Sequence, residues 1–148
     1  MIRSLSENRR AFFELEITEK IEAGLKLTGP EVKSIRTRGA DLNGSYIKII
    51  GGEIFVLGMK IAPYGPAAQK GYDPARIRKV LLNRNEINSL VGLLSRKGSG
   101  AVPIRLYPHR RLIKMEIGLG RGKRKADRRE ELRERDIARD TERLISAD

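Results

Sequence analysis

Gly118-Leu119-Gly120-Arg121-Gly122-Lys123-Arg124-Lys125-Ala126-Asp127-Arg128-Arg129 separates two kinds of polymer, and the fold is read outward from it. Upstream lie apolar runs punctuated by turns. Downstream, from Glu130 to Asp148, the large apolar residues thin to Leu132, Ile137, Leu144 and Ile145 among many charges, too few to bury a core. The stretch itself reads as a hinge, because its three glycines permit unusual backbone angles. Arg121, Lys123, Arg124, Lys125, Arg128 and Arg129 outnumber Asp127. Such a segment can lie along phosphates or simply solvate the exit from the last strand. The expected division is a folded part over residues 1–120 and a basic, charged tail over 121–148.

The chain has 148 residues, room for one compact domain and an appendage. Its 31 basic and 19 acidic residues give a net charge of +12, and residues 1–120 alone carry 21 and 11 of them. With a pI near 10.4 this points to a polyanionic partner, most commonly nucleic acid. Cysteine is absent, which excludes disulfides, thiolate metal sites and a cysteine nucleophile and suits the cytoplasm. The start M-I-R-S-L-S-E-N-R-R lacks the apolar core of a signal peptide, and no run reaches bilayer-spanning length. The one histidine, His109, falls in a turn and cannot build a histidine metal site by itself.

Phe13, Leu15 and Ile17 alternate with Glu14 and Glu16, and Ile21, Ala23, Leu25 and Leu27 resume the alternation; the two segments are expected to pair as strands. Thr28-Gly29-Pro30-Glu31 is a capping-box signature that opens a short helix from about Pro30 to Thr37, ended by Gly39. Asn43-Gly44 and Gly51-Gly52 bracket a strand over 45–50, and an apolar strand over 53–59 completes a hairpin. Residues 63–74 read as a surface loop. A basic-to-apolar strand over 76–82 precedes Asn83-x-x-Glu86, a second capping signature, whose helix carries the stripe Ile87, Leu90, Val91 and Leu94. Strands over 101–107 and 111–119 close the chain as a hairpin about His109. About six strands at short spacing with two helices predict a mainly β fold with flanking helices, a small closed barrel rather than a parallel α/β sheet.

Nothing in this inventory assembles a base, an orienting group and a nucleophile, and no phosphate-binding G-x-x-x-x-G-K-[ST] occurs, so the chain does not read as an enzyme and calls for no cofactor. Basic clusters do recur on different elements: Arg9-Arg10, Lys33/Arg36/Arg38, Arg76/Arg78/Lys79, Arg110-Arg111 and Arg121 to Arg129. A fold could gather several on one face. Aromatic residues are few, which favours recognition of RNA shape and backbone over stacking on splayed bases.

T-G-P-E-V-K-S-I-R, D-L-N-G-S-Y, I-A-P-Y, Y-D-P-A-R-I-R-K-V-L-L-N, V-P-I-R-L-Y and G-R-G-K-R-K-A-D-R-R occur in an order and spacing that resembles the SsrA-binding protein family, also called small protein B. The resemblance covers about Asn8 to Arg129. It implies an OB-like β-barrel and an RNA-binding function: the family binds the tRNA-like domain of transfer-messenger RNA (tmRNA). It also helps deliver that RNA to stalled ribosomes for trans-translation, and its C-terminal tail enters the decoding centre and empty mRNA channel. A monomer in a 1:1 complex with tmRNA, with a tail disordered when free and helical on the ribosome, is the implied state. Matching positions suggest RNA contacts at Glu31, Lys33, Ser34, Arg36, Asp73, Arg76, Arg78 and Lys79. The decoding-centre tail matches at Gly122, Lys123, Arg124, Asp127, Arg128 and Arg129. Glu31 also reads as a helix cap and Asp73 as a turn carboxylate. Three positions depart from the family pattern: Tyr72 and Asn83 where histidine is usual, and Ala126 where tyrosine or histidine is common. The competing reading is a structural ribosomal protein, or another OB-type RNA-binding protein, whose tail merely neutralises ribosomal RNA.

Overall fold

The computed structural model describes residues 4–65 and 70–122. The elements run β1 (Ser6–Glu7), α1 (Ala11–Glu14), β2 (Leu15–Leu25), α2 (Gly29–Arg38), β3 (Tyr46–Ile50), β4 (Glu53–Leu57), β5 (Arg78–Leu81), α3 (Arg84–Leu94), β6 (Ser99–His109) and β7 (Leu112–Gly122). All seven strands join one antiparallel sheet in the order β1-β6-β7-β2-β5-β4-β3. The fold is therefore mainly β, as expected, with β1 and α1 added to the elements that the apolar pattern marked.

The expected closure of the barrel does not occur. β3 lies beside β6, but the two do not pair, and a groove of about 490 Å³ between residues 46–49 and 99–102 separates them. Part of the outer edge of β6 is taken by β1, which pairs at Arg105 and Leu106, and the Asn8 N–H donates to the Ile104 carbonyl at 2.7 Å. Residues 99–102, which face β3 across the groove, carry no ladder pair on that side.

The segments expected to pair around residue 19 are instead one continuous strand. Phe13 falls in α1, and the break in β2 is a bulge at Thr18, where the register with β7 slips between Ile17↔Gly120 and Glu19↔Leu119. An extra residue turns the later side chains to the opposite face. Leu15 and Ile17 thus pack with Ala11, Val102 and Ile104 in a small cluster, while Ile21, Ala23 and Leu25 face the main core. A second bulge between Pro103 and Arg105 does the same for β6, sending Ile104 to the small cluster and Leu106 to the main one.

Those bulges explain the glycines of the opening stretch, which are not a hinge. Gly118, Gly120 and Gly122 are strand residues of β7. A Cβ on Gly120 would lie 1.9 Å from the Glu16 carbonyl oxygen, and one on Gly118 would meet the Ile17 and Ile104 side chains at 2.8 and 2.9 Å. Gly120 is glycine because the bulged β2 backbone crosses too closely for any side chain, and Gly118 because the Ile17 and Ile104 side chains fill the space above it. The strand runs past the expected boundary at residue 120, with Arg121 paired to both Glu16 and Ser99.

Both helices expected from capping signatures form as the local chemistry dictates. In α2 the Thr28 side chain accepts from the Glu31 N–H and the Glu31 carboxylate accepts from the Thr28 N–H; Gly39, at φ 75°, ends the helix. Glu31, Ser34 and Ile35 make its buried stripe, leaving Lys33 and Arg36 outward. In α3, Asn83 and Glu86 repeat the box. Of its expected stripe, Leu90 is buried and Ile87 and Leu94 are half-buried, but Val91 is exposed and Leu93 packs in its stead.

Candidate nucleic-acid interface

A carboxylate at the third position of a helix already bonds its own N-cap. In this fold Glu31 does more, because α2 lies against the segment that leads into β5. Its side chain is 1% exposed and its two oxygens serve different partners. Oε1 accepts from the Thr28 N–H at 3.0 Å and from the Arg76 guanidinium. Oε2 accepts from Arg78 Nε and Nη2 at 2.9 and 2.6 Å and lies 3.2 Å from the Tyr72 hydroxyl. Burial alone would raise the Glu31 pKa. The bonds from Arg76, Thr28 and Arg78 outweigh it and hold the group at about 2, so the carboxylate stays ionised.

Arg78 is the complementary buried charge, with its side chain 0% exposed. Besides its two bonds to Glu31, Nη1 donates to the carbonyls of Met59 (2.8 Å) and Pro74 (3.0 Å), and Nη2 to the Tyr72 hydroxyl (3.0 Å). All five guanidinium N–H groups are thereby used. Tyr72 in turn donates toward Ile61 O at 3.0 Å. Burial, then the neighbouring Glu31 charge, raises its pKa. One buried ion pair thus ties α2, the start of β5, the loop before it and the segment that follows β4 together.

This arrangement sorts the expected RNA-contact residues. Glu31 and Arg78 face inward, contrary to a direct contact with RNA from this conformation, and Ser34 does too, donating to the Ala62 carbonyl at 2.7 Å. Arg76 is half-exposed and bridges the network to the surface. Lys33 is exposed, its Nζ 5.8 Å from the Tyr64 ring centroid, and Arg36 lies one turn further along the same face. Asp73 is exposed and organises a turn, its carboxylate accepting from the Ala75 N–H at 2.9 Å. Lys79 alternates with Arg78 along β5, points the other way and pairs with Glu53 at 3.1 Å, a surface pair worth little. Thr28, Pro30, Tyr64, Tyr72, Asp73 and Arg76 are among the walls of a cavity of about 280 Å³ beside Glu31. Gly122 ends β7; Lys123, Arg124, Ala126, Asp127, Arg128 and Arg129 lie outside the described residues.

Sequence reasoning missed the role of Tyr72, which it marked only as a departure from a usual histidine. The signal was present in Tyr72-x-x-x-Arg76-x-Arg78: a hydroxyl close in sequence to two arginines and opposite an inward carboxylate. Asn83, the second departure, is committed to capping α3.

The SmpB protein family model matches residues 5–147, nearly the whole chain. The chain belongs to the SmpB family. Among SmpB relatives, the SsrA-binding protein of Caulobacter vibrioides is 44% identical over 149 residues, covering 100% of this chain and 98% of the relative. That of Desulfitobacterium hafniense is 42% identical over 142 residues, covering 96% and 91%. A chain of a solved structure described as "tmRNA-SmpB: a journey to the center of the bacterial ribosome" superposes with a TM-score of 0.69 at 40% identity, covering 86% of this chain and 94% of that one. No helix among the described residues is long and apolar enough to cross a membrane.

Proposed function

We propose that this protein binds the tRNA-like domain of tmRNA, one to one, and delivers it to stalled ribosomes in the cytoplasm for trans-translation. The observation that carries the reading is the Glu31 junction. It neutralises Arg78 inside the fold and fixes α2 against the loop before β5, so that Arg76, Lys33 and Arg36 form a preorganised cationic rim. A rim of that kind suits a folded RNA, whose phosphates stand at fixed spacings, better than a flexible polyanion. Asp73, at the same rim, offers an acceptor for a base or ribose donor. Lys79 adds positive field without belonging to the rim.

In this reading an OB-like body ends with β7 at Gly122 rather than at Gly120, because Arg121 and Gly122 still carry ladder pairs. The tail begins at Lys123, and Lys123, Arg124, Asp127, Arg128 and Arg129 follow ribosomal RNA in the decoding centre. The charged residues beyond become helical only in an empty mRNA channel, which couples tail ordering to detection of a stalled ribosome. Titrating the full chain with transcribed tmRNA and with a folded control RNA of equal length tests the reading. The proposal expects at least about tenfold tighter binding to tmRNA, a difference of about 1.4 kcal/mol. Equal affinities would favour the structural RNA-binding alternative.

A further inference from the structure

The turn at the tip of the β6–β7 hairpin is built from residues that a turn does not favour. His109 pairs with Leu112, so Arg110 and Arg111 are the whole loop. Two-residue hairpin loops select glycine, asparagine or aspartate, because a positive φ is needed there. Arg110 adopts φ 57°, and among the described residues it is the one non-glycine with a positive value. A strained backbone angle borne by a long cationic side chain, where glycine would relieve it, indicates that the side chain is needed.

The tip is also docked. Arg36 Nη2 donates to the Arg110 carbonyl at 2.8 Å, joining the last turn of α2 to the hairpin across 74 residues of sequence. Lys33 and Arg36, three apart on the outward face of α2, therefore run on into Arg110 and Arg111. None of Arg36, Arg38, Arg110 and Arg111 has a carboxylate partner among the described residues. The guanidinium forks of Arg38, Arg110 and Arg111 are open for phosphate, which they match in two-bond geometry, while Arg36 spends Nη2 on the Arg110 carbonyl.

We propose that Arg110 and Arg111 are a second limb of the tmRNA-binding face, gripping phosphodiesters of the strand that continues off α2, with Arg36 positioning the turn. The inference rests on the function proposed above and extends its contact surface beyond the Glu31 rim. Arg110→Gly removes the cation, keeps the carbonyl that accepts from Arg36 and relaxes the backbone. The full-length variant is expected to melt at or above the wild-type temperature. Its log K against log salt for tmRNA should be shallower by about 0.7–0.9, the change expected when one phosphate is no longer bound. Arg111→Gln should act alike, and Arg110→Lys should restore the slope. Wild-type slopes and affinities in both neutral variants would overturn the proposal. Unchanged tmRNA binding with weakened ribosome association would overturn it too, by assigning the turn to ribosomal RNA. A wild-type protein without preference for tmRNA would instead remove the reading on which the proposal rests.

Discussion

Replacing Glu31 by glutamine keeps the shape of the capping box but leaves the buried Arg78 guanidinium without its counter-ion. Breaking a buried pair from one side costs about 3–5 kcal/mol, because the remaining charge is desolvated and unpaired. Titration leads to a similar figure. A carboxylate ionising near 2 in the fold, against 4.5 ordinarily, stabilises the native state by about 3 kcal/mol at neutral pH. In a chain of this size that corresponds to a melting temperature lower by on the order of 10–20 °C. The sign in pH follows from a depressed native pKa: the contribution is complete above 4.5 and disappears as pH falls toward 2. Circular-dichroism melts of wild type and Glu31→Gln from pH 7 to pH 2 should therefore converge at the acidic end. A variant that melts within about 2–3 °C of wild type at pH 7, far below the shift worked out above, yet loses tmRNA affinity would refute the reasoning. Glu31 would then meet RNA and not the interior.

Other substitutions separate the remaining parts. Adding Arg78→Met to Glu31→Gln should recover part of the lost stability, since exchanging both members of a buried pair for neutral groups is far milder than orphaning one; a double-mutant cycle by urea melts measures it. Gly120→Ala should destabilise by about 3 kcal/mol or more, at the upper end of overpacking costs, because its Cβ meets the Glu16 backbone rather than a movable side chain; the same melts read it. Neutralising Lys33, Arg36 and Arg76 together should flatten the salt dependence of tmRNA binding by roughly 0.7–0.9 for each phosphate they bind. A chain ending at Gly122 should melt like the full protein and bring tmRNA to a stalled ribosome, yet support little peptidyl transfer to its alanine in a reconstituted assay.

Local signals were legible where one short segment decides the structure. Both capping boxes, the Gly51-Gly52 turn and the final hairpin could be read directly, since each depends on a few adjacent residues. What could not be read depends on register. Alternation at Leu15, Ile17, Ile21, Ala23 and Leu25 looks the same whether a turn, a bulge or neither intervenes, and only pairing with β7 reveals that Thr18 flips the later residues to the other face. For the same reason Gly118 and Gly120 looked like flexibility when they are points of closest approach. The open seam was hidden because strand count says nothing about which edges pair. At the site, the family blocks marked residues that the fold gathers around Glu31 and Arg76. A linear series of charges could not show that Arg78 and Glu31 neutralise each other in the interior while Arg76 and Lys33 face out. Tyr72 was missed because its role comes from α2 and β5 converging on it.

The central claim is that a rim preorganised by the Glu31 junction selects one RNA. Sequencing the RNA that co-purifies with the tagged full-length protein from its own cells tests it most directly. The account predicts a single dominant species, tmRNA, sharply reduced when Lys33, Arg36 and Arg76 are neutralised. Recovery of bulk ribosomal RNA in proportion to its abundance, unchanged in that variant, would contradict it.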